Sequence, residues 1–512
     1  MANRMFMNYM KNTIYVFFLL SGLLGFFAHG SWTRNTALDP KMADFEPPRV
    51  DISRYKSVQT RPQQRSDMAV AVAISGGGHR AANFATGVLL ALENLAIDDS
   101  NEINLLQEID YFSTVSGGGF PVGIYLASRH DAQDDEPYSF RDALTNDQER
   151  YLQNLRRDYQ ITLLQAGLVP ELIGFKNAGD LLEKRFDEYL LGAEYREDTR
   201  SLTLGDVFLP KTSREPVEHP YWFANATVYE NGARFVFTPG IIREYAIKEC
   251  THRLENIEVE RDGHNMPLSV GMKTSASFPV LIPATTLKCR KSADPLNQYL
   301  HLIDGGLVDN QGIYTALEVL RQDSASQKVL IVIDAFKGVS RPRSRWRASP
   351  SGPEMAVRIM KIAIDGARTR LEQTLTQEQR LFGQGEGEEI KVVLLSFSGL
   401  KTETVKKYNE LETDLGKVTK KKLQGVARRF QREIDSLTKN YGWSKAEDAD
   451  DEGEDLSGIM LYEDARAVGT TLNITKAQQE LLLQAGQEVV DQHREFFLRH
   501  MAKEYEDGLG EK

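Results

Sequence analysis

The sequence predicts an α/β fold with a mainly parallel central sheet, followed by a helix-rich C-terminal region. Short apolar, β-prone runs recur along the chain, and each of the first two is followed by a glycine-rich turn and a segment of helical periodicity. A repeated strand, turn and helix is the βαβ arrangement that joins parallel strands. The first run is continuously apolar, which is typical of a strand buried on both faces of a sheet.

The first unit starts with the strand run MAVAVAIS at Met68 and reaches three glycines at 76–78. The second unit comprises the strand IDYFSTV at 109–115, the turn SGGG at 116–119 and a predicted helix over 120–128. The helix of the first unit is predicted from apolar residues on one face, at Phe84, Val88, Ala91, Leu92 and Leu95. Further strands are predicted at 221–228, 233–238, 299–303, 329–334 and 390–397.

Helices are predicted to dominate the chain from Glu354 onward. A basic, charge-dense stretch covers 401–439, and the acidic run at 447–455 is predicted to be a solvated loop. The final helix begins with a capping box formed by Thr475 and Gln478. Its buried face is predicted to carry Leu482, Ala485, Val489 and Phe496.

The composition is that of an ordinary globular protein, with 41% hydrophobic and 26% charged residues in a chain of 512. The net charge of -11 argues against a general nucleic-acid partner, which needs a basic surface. Only two cysteines are present, Cys250 and Cys289, which allow at most one disulfide and no four-cysteine zinc site. No Cys/His cluster or H-E-x-x-H motif occurs, so neither a metal nor a cofactor is expected.

The N-terminal region is typical of a targeting segment followed by a linker. Basic residues Arg4 and Lys11 precede an uncharged apolar run over 13–28, and small residues follow it. This run is shorter than the about 20 residues of a spanning helix, so residues 1–30 are predicted to be a signal peptide or a membrane anchor. The protein is therefore expected to be exported or membrane-associated. Residues 31–67 are polar and proline-rich, which predicts an extended linker or arm.

The first candidate site is the segment GGGHR at 76–80, between the first strand and its helix. Glycines at such a turn let backbone N–H groups point at a ligand, and the helix N-terminus adds its positive end. Gly76, Gly77 and Gly78 are therefore predicted to cradle an anion. Arg80 is predicted either to donate to that anion or to form a structural ion pair, and His79 is expected to face solvent.

Two further segments carry candidate catalytic side chains. The segment TVSGG at 114–118 resembles the nucleophile elbow G-x-S-x-G, with Thr114 in place of the first glycine. In such an elbow Ser116 projects from a sharp turn between a strand and a helix. Asp304 leaves a predicted strand into two glycines, where a carboxylate is exposed on a tight turn and can act as a base.

The three segments together resemble the pattern of the patatin-like phospholipases from about Met68 to Asp334, including SASFPVLIP at 275–283. The resemblance implies a three-layer sandwich with a catalytic domain at 68–340. Residues 341–512 then form a helix-rich region with one further strand.

The resemblance implies a lipid acyl hydrolase acting on membrane lipids or lysolipids. It assigns Ser116 as the nucleophile and Asp304 as its base, a dyad without histidine. It assigns Gly77, Gly78 and Arg80 to the oxyanion-hole region, and the amide of Gly76 is expected to join them. Protein partners cannot be identified from the sequence.

Three alternatives stay open at this stage. A catalytically weak or silent relative would keep the fold as a lipid- or protein-binding module. A dinucleotide-binding protein would use Gly76, Gly78 and Ala81, which fit G-x-G-x-x-A. A Ser-His-Asp hydrolase would take its histidine from His493 or His500, which follow the serine and aspartate in chain order.

Overall fold

The computed structural model describes thirteen segments and five single residues, all of them within the unit from Pro48 to Lys512. The segments are 48–54, 67–96, 104–132, 138–160, 178–196, 200–209, 219–251, 257–279, 281–290, 298–336, 362–369, 390–397 and 468–502, and the single residues are 162, 355, 358, 359 and 465. The apolar run at 13–28, the basic stretch at 401–439 and the acidic run at 447–455 lie outside the described residues.

The described strands are β1 (Met68–Ile74), β2 (Tyr111–Thr114), β3 (Tyr221–Val228), β4 (Arg234–Val236), β5 (Ile247–Thr251), β6 (Ile257–Glu258), β7 (Thr285–Cys289), β8 (Tyr299–Asp304), β9 (Gln327–Asp334) and β10 (Ile390–Ser396). They form one ten-stranded sheet in the order β10-β9-β1-β2-β3-β8-β7-β5-β6, with β4 paired to β3 beside this path.

The five strands from β10 to β3 are parallel, which confirms the predicted parallel centre. Ala71 at the middle of β1 lies between Tyr111 of β2 and Leu330 of β9, and every residue of β1 is buried. Beyond β3 the pairing is antiparallel through β8, β7, β5 and β6. The sequence did not predict β5, β6 or β7, because these short strands mix polar and apolar residues without clear alternation.

The helices connect the strands and pack on the sheet. The described helices are α1 (Gly78–Glu93), α2 (Gly119–Asp131), α3 (Phe140–Asn154), α4 (Ala178–Tyr189), α5 (Leu204–Phe208), α6 (Pro239–Glu244), α7 (Leu268–Ser275), α8 (Gly306–Asp309), α9 (Ile313–Gln322), α10 (Lys476–Gln492) and α11 (Arg494–Met501). Helix α9 contacts β1, β2 and β9, and α7 contacts β3 and β8. Among the described residues, no helix is both long and apolar enough to cross a membrane.

The predicted capping box at the start of α10 is confirmed, with the Thr475 hydroxyl accepting from the Gln478 N–H. The prediction of a single final helix is wrong, because the helix is interrupted at His493 and Phe496 lies on α11 instead of α10. The predicted apolar face is otherwise correct, since Leu482, Ala485 and Val489 are buried. The ring nitrogen Nδ1 of His493 bonds the carbonyl of Val489 at the break.

Helix α10 packs directly against the backbone of α1. A Cβ atom at Gly87 of α1 would lie 2.2 Å from the carbonyl oxygen of Leu483, and one at Gly486 of α10 would lie 2.3 Å from that of Phe84. Both glycines are therefore needed for the close approach of the two helices. The helix that follows the glycine loop is thus supported by the C-terminal part of the chain.

Gly87→Ala is expected to lower the free energy of unfolding by about 1–3 kcal/mol, because the new methyl group overpacks the helix contact. This cost exceeds the about 0.5–1 kcal/mol that alanine gains over glycine within a helix. Urea unfolding measures the difference. Gly469→Ala is the control, since its Cβ would meet only Thr471 Cγ2 at 3.4 Å. Equal stability of the two variants would contradict the backbone contact.

The two cysteines lie on neighbouring antiparallel strands, Cys250 on β5 and Cys289 on β7. Both are free thiols, Cys250 buried and Cys289 partly exposed. The single disulfide that the sequence allows is therefore not formed in this structure.

Candidate active site

Ser116 lies in a strained turn between β2 and α2. Its φ is +52°, a left-handed value that residues with a side chain rarely adopt. The turn is a short 3-10 helix, Ser116–Gly118, and α2 begins directly after it. A Cβ at Gly117 would lie 2.2 Å from the carbonyl oxygen of Gly78, so the serine turn touches the first glycine loop through backbone atoms. This arrangement is that of a nucleophile elbow.

Thr114 replaces the first glycine of the elbow motif without preventing the turn. Its side chain is buried, and its Oγ1 accepts a 2.8 Å hydrogen bond from Nε1 of Trp222. The room for this side chain comes from Gly119, where a Cβ would lie 3.1 Å from Thr114 Oγ1. The branched side chain of Thr114 therefore fits next to Gly119, at the start of α2.

Asp304 is the last residue of β8, and its carboxyl group lies next to the side chain of Ser116. Asp304 is only 3% exposed, and its Oδ1 accepts a 2.7 Å bond from the N–H of Gly306. Burial raises the pKa of the Asp304 carboxyl to about 7, and the N–H of Gly306 and the side chain of Ser116 oppose that rise. The structure thus brings together the serine and the aspartate that the sequence singled out.

The glycine loop faces the same turn, and its three glycines differ in their contacts. Gly76 donates its N–H to the carbonyl of Asn310 at 2.9 Å, and a Cβ on it would lie 3.3 Å from Ser116 Cβ. Gly77 and Gly78 have φ values of +151° and +59°. Within the described chain their N–H groups have no hydrogen-bond partner. Gly78 also begins α1, whose N-terminus carries partial positive charge.

A segment near the C-terminus supports the glycine loop from the other side. The carbonyl of Thr471 accepts a 2.9 Å bond from the N–H of His79. A Cβ at Gly78 would lie 2.4 Å from that same carbonyl oxygen. The conformation of the loop therefore depends on residues far outside the sequence motif.

Arg80 is buried and joins three parts of the chain. Its Nε donates to the carbonyl of Ala335 at 2.9 Å, and its Nη1 donates to that of Val468 at 3.0 Å. Burial lowers the pKa of the Arg80 guanidinium to about 10, and the charge of Asp334 opposes this. These bonds give Arg80 a structural task behind the loop.

His79 is fully buried, so the expectation that it faces solvent is wrong. Its Nε2 donates a 2.8 Å hydrogen bond to the carbonyl of Arg157, and its ring lies near Phe120 and Tyr159. Burial lowers the pKa of the His79 imidazole to about 4, so the ring is neutral at physiological pH. The side chain at the variable position of the motif is therefore packed in the protein interior and does not face solvent.

Several residues at this site belong to no sequence motif, so they were not predicted from the sequence. Asn225 on β3 donates from Nδ2 to the carbonyl of Thr114 at 3.0 Å and accepts from Thr315 at 2.6 Å, which fixes the end of β2. Asn310 contacts Gly76 through its carbonyl, and Ser275 Oγ accepts from the N–H of Ser116. The available signal was weak: Asn225 is a polar residue inside an otherwise apolar strand.

The geometry favours a serine–aspartate pair over a dinucleotide site and over a Ser-His-Asp triad. The glycine loop packs against Thr471 and Ser116, where a bound dinucleotide would need open space for its pyrophosphate. His500 packs its ring against Phe496 on α11, with ring centroids 4.7 Å apart. The ionisable side chain next to that of Ser116 is the carboxyl group of Asp304.

Residues 72–317 match the family model described as patatin-like phospholipase. No curated protein matches the chain. Solved structures similar to the chain include human GIVD cytosolic phospholipase A2 with methyl gamma-linolenyl fluorophosphonate and terbium chloride, at 12% identity and a TM-score of 0.37, covering 88% of this chain and 61% of that one. A second human GIVD structure has 11% identity and a TM-score of 0.38, covering 85% and 60%. VipD from Legionella pneumophila has 12% identity and a TM-score of 0.25, covering 86% and 88%. The chain spans about three-fifths of the length of the human structures.

Proposed function

We propose that the chain, whose residues 72–317 form a patatin-like phospholipase domain, hydrolyses acyl esters of phospholipids or lysophospholipids through Ser116 and Asp304. One observation carries this proposal. A serine in a strained turn lies next to a buried carboxyl group whose pKa burial raises to about 7. A base with a pKa near the working pH is the most effective proton acceptor.

In the proposed reaction, the ionised Asp304 takes the proton of the Ser116 hydroxyl while Oγ attacks the acyl carbonyl carbon. The carbonyl π electrons move to oxygen, which becomes the oxyanion of a tetrahedral intermediate. When the intermediate collapses, the ester C–O bond breaks and Asp304 returns the proton to the leaving alcohol. Water then repeats the sequence on the acyl-serine, releasing the fatty acid and restoring Ser116.

The oxyanion needs hydrogen-bond donors in the place where the negative charge develops. The N–H groups of Gly77 and Gly78 are the best candidates, and the N–H of Gly117, directly after the nucleophile, is the position that elbows use for this task. Gly76 and Arg80 support the glycine loop instead of binding the oxyanion, since their N–H donors bond backbone carbonyls of the protein. The N-terminus of α1 adds positive potential at the same place.

The proposal is tested by labelling the full chain with a fluorophosphonate probe, which reacts with activated serines. The wild-type protein should be labelled stoichiometrically, and Ser116→Ala should not be labelled. Absence of labelling in the folded wild-type protein would favour the silent lipid- or protein-binding module. Calorimetric binding of NAD(P) would favour the dinucleotide alternative.

Activity is expected to fall as the pH decreases through about 7, because Asp304 must be ionised to act as a base. Below that pH, kcat/KM for a soluble short-chain ester should decline about tenfold per pH unit. The profile is measured in buffers of constant ionic strength, with substrate hydrolysis in the absence of enzyme subtracted. A profile that stays flat down to pH 5 would contradict a base with a raised pKa.

We also propose that the chain is exported or membrane-associated, on the basis of the apolar run at 13–28 and its basic flank. N-terminal sequencing of the protein expressed in its own host should then find Ser31 as the first residue. Recovery of an intact Met1 in the membrane fraction would indicate an uncleaved anchor instead. An intact Met1 in the soluble fraction would contradict both readings.

A further inference from the structure

The peptide group of the nucleophile is held by a side chain from a distant element. Ser275, the last residue of α7, accepts a 2.8 Å hydrogen bond at Oγ from the backbone N–H of Ser116. Because Ser116 has a φ of +52°, its peptide would relax toward ordinary values unless such contacts fixed it. Ser275 is 2% exposed, so water does not compete for this bond.

Residues 275–277, the turn at the end of α7, also contact the end of β8, which carries the proposed base Asp304. The carbonyl of Ser277 accepts a 3.0 Å bond from the N–H of Asp304. The carbonyl of Ser275 accepts a longer, 3.4 Å bond from the N–H of Gly305. Residues 275–277 therefore contact the backbone of Ser116 and the backbone of Asp304 and Gly305, and they hold these two segments next to each other.

The turn is itself anchored by a buried cation. Lys273 donates from Nζ to the carbonyl of Pro283 at 2.8 Å and to Oγ1 of Thr285 at 3.1 Å. Its own carbonyl accepts a 3.0 Å bond from the hydroxyl of Ser277. The carboxylates of Asp180 and Glu183 on α4 interact favourably with the charge of Lys273. A turn fixed at both ends is suited to hold another segment in a strained conformation.

We propose that Ser275 is a positioning residue, whose hydroxyl oxygen holds the Ser116 peptide in the conformation that points Oγ at Asp304 and at the acyl carbonyl. The inference rests on the proposed role of Ser116 as nucleophile. Ser275 contacts the backbone of Ser116 and takes no part in proton transfer. Its loss should therefore lower the rate of attack without changing substrate binding or the ionisation of the base.

The test compares Ser275→Ala with Ser269→Ala in the full chain. Ser269 is the matched control, because it is also buried on α7 and its hydroxyl has no hydrogen-bond partner among the described residues. We expect Ser275→Ala to lower kcat about 10- to 100-fold with KM nearly unchanged, the cost of a misplaced nucleophile. Ser269→Ala should stay within about threefold of wild type, since its hydroxyl does not hold Ser116 in place. The rate of fluorophosphonate labelling should follow kcat.

Ser275→Cys offers an acceptor of similar size but weaker strength, so its kcat should lie between those of wild type and Ser275→Ala. This variant decides the matter if Ser275→Ala does not fold. Equal losses in Ser275→Ala and Ser269→Ala would overturn the inference, as would a shift of the acid limb of the pH profile in Ser275→Ala. A wild-type kcat in Ser275→Ala, together with an inactive Ser116→Ala, would contradict the positioning role of Ser275 and leave the proposed function intact. Full activity in Ser116→Ala would remove the proposed function.

Discussion

Ser116→Ala and Asp304→Asn are each expected to abolish ester hydrolysis, with losses on the order of 10⁴-fold or more in kcat. Without the hydroxyl no acyl-serine forms, and without the ionised carboxyl the hydroxyl keeps its proton. The double variant should be no less active than either single variant, because nucleophile and base act as one unit. The measurements are hydrolysis of a short p-nitrophenyl ester and of phospholipid vesicles. Additive losses, or substantial turnover in both single variants, would contradict the assignment.

The melting temperature of Asp304→Asn shows whether this variant loses activity without losing its fold. The pKa of Asp304 is about 7 in the folded protein and about 3.9 in an unfolded chain. The folded state therefore binds this proton more tightly, and the contribution of Asp304 to stability decreases as the pH rises from about 4 to about 7. Asp304→Asn removes that loss, so its melting temperature should be higher than that of wild type at pH 8 and closer to it at pH 5. A lower melting temperature at pH 8 would contradict burial of the charged form.

Gly78→Ala is expected to lower kcat by on the order of 10² to 10³, as the loss of one oxyanion donor does. Two effects act together. The residue has a φ of +59°, and a Cβ would lie 2.4 Å from the carbonyl oxygen of Thr471, which belongs to backbone and cannot swing aside. The loop must move, and the N–H of Gly78 moves with it. Binding of a non-hydrolysable lipid analogue should change much less, because the acyl chain and head group do not depend on this N–H.

Gly232→Ala is the matched control for backbone strain. Gly232 also has a positive φ, +71°, but a Cβ there would meet nothing within 4 Å. We expect this variant to lose about 1 kcal/mol of stability through strain alone and to keep its kcat. If both variants lose activity equally, the effect of Gly78→Ala comes from instability and not from the oxyanion donors. Steady-state kinetics and thermal melting on the same preparations separate the two.

Local sequence patterns predicted the parts of this molecule that local physics determines. A continuous apolar run gave β1, and helical periodicity gave the buried face of α1. The elbow at Ser116 and the turn after Asp304 were predicted because glycines there follow a strand directly, and both turns occur in the structure. Thr475 and Gln478 predicted the start of α10 through bonds between residues three positions apart.

Contacts between distant residues decided the rest, and no local pattern contains them. The donors of Gly76 and Arg80 bond the carbonyls of Asn310, Ala335 and Val468, so two predicted oxyanion donors support the loop from behind. His79 stands in a variable position of its motif, yet Phe120 of α2 and Arg157 and Tyr159, which follow α3, contact its ring. Ser275 is an unremarkable serine in the sequence and gains its role only when α7 meets the elbow.

The support of the glycine loop by Thr471 has a consequence for protein synthesis. A nascent chain completes β1, the elbow and Asp304 long before residues 468–502 leave the ribosome, and domains begin to fold from the N-terminal side. Until Thr471 and α10 are available, the N–H of His79 lacks its acceptor and α1 lacks the helix that packs on Gly87. The order of translation thus delays the final conformation of the glycine loop to the last stage of synthesis. A polypeptide that stalls or is cleaved before residue 471 would carry Ser116 and Asp304 without the backbone contact that supports the glycine loop.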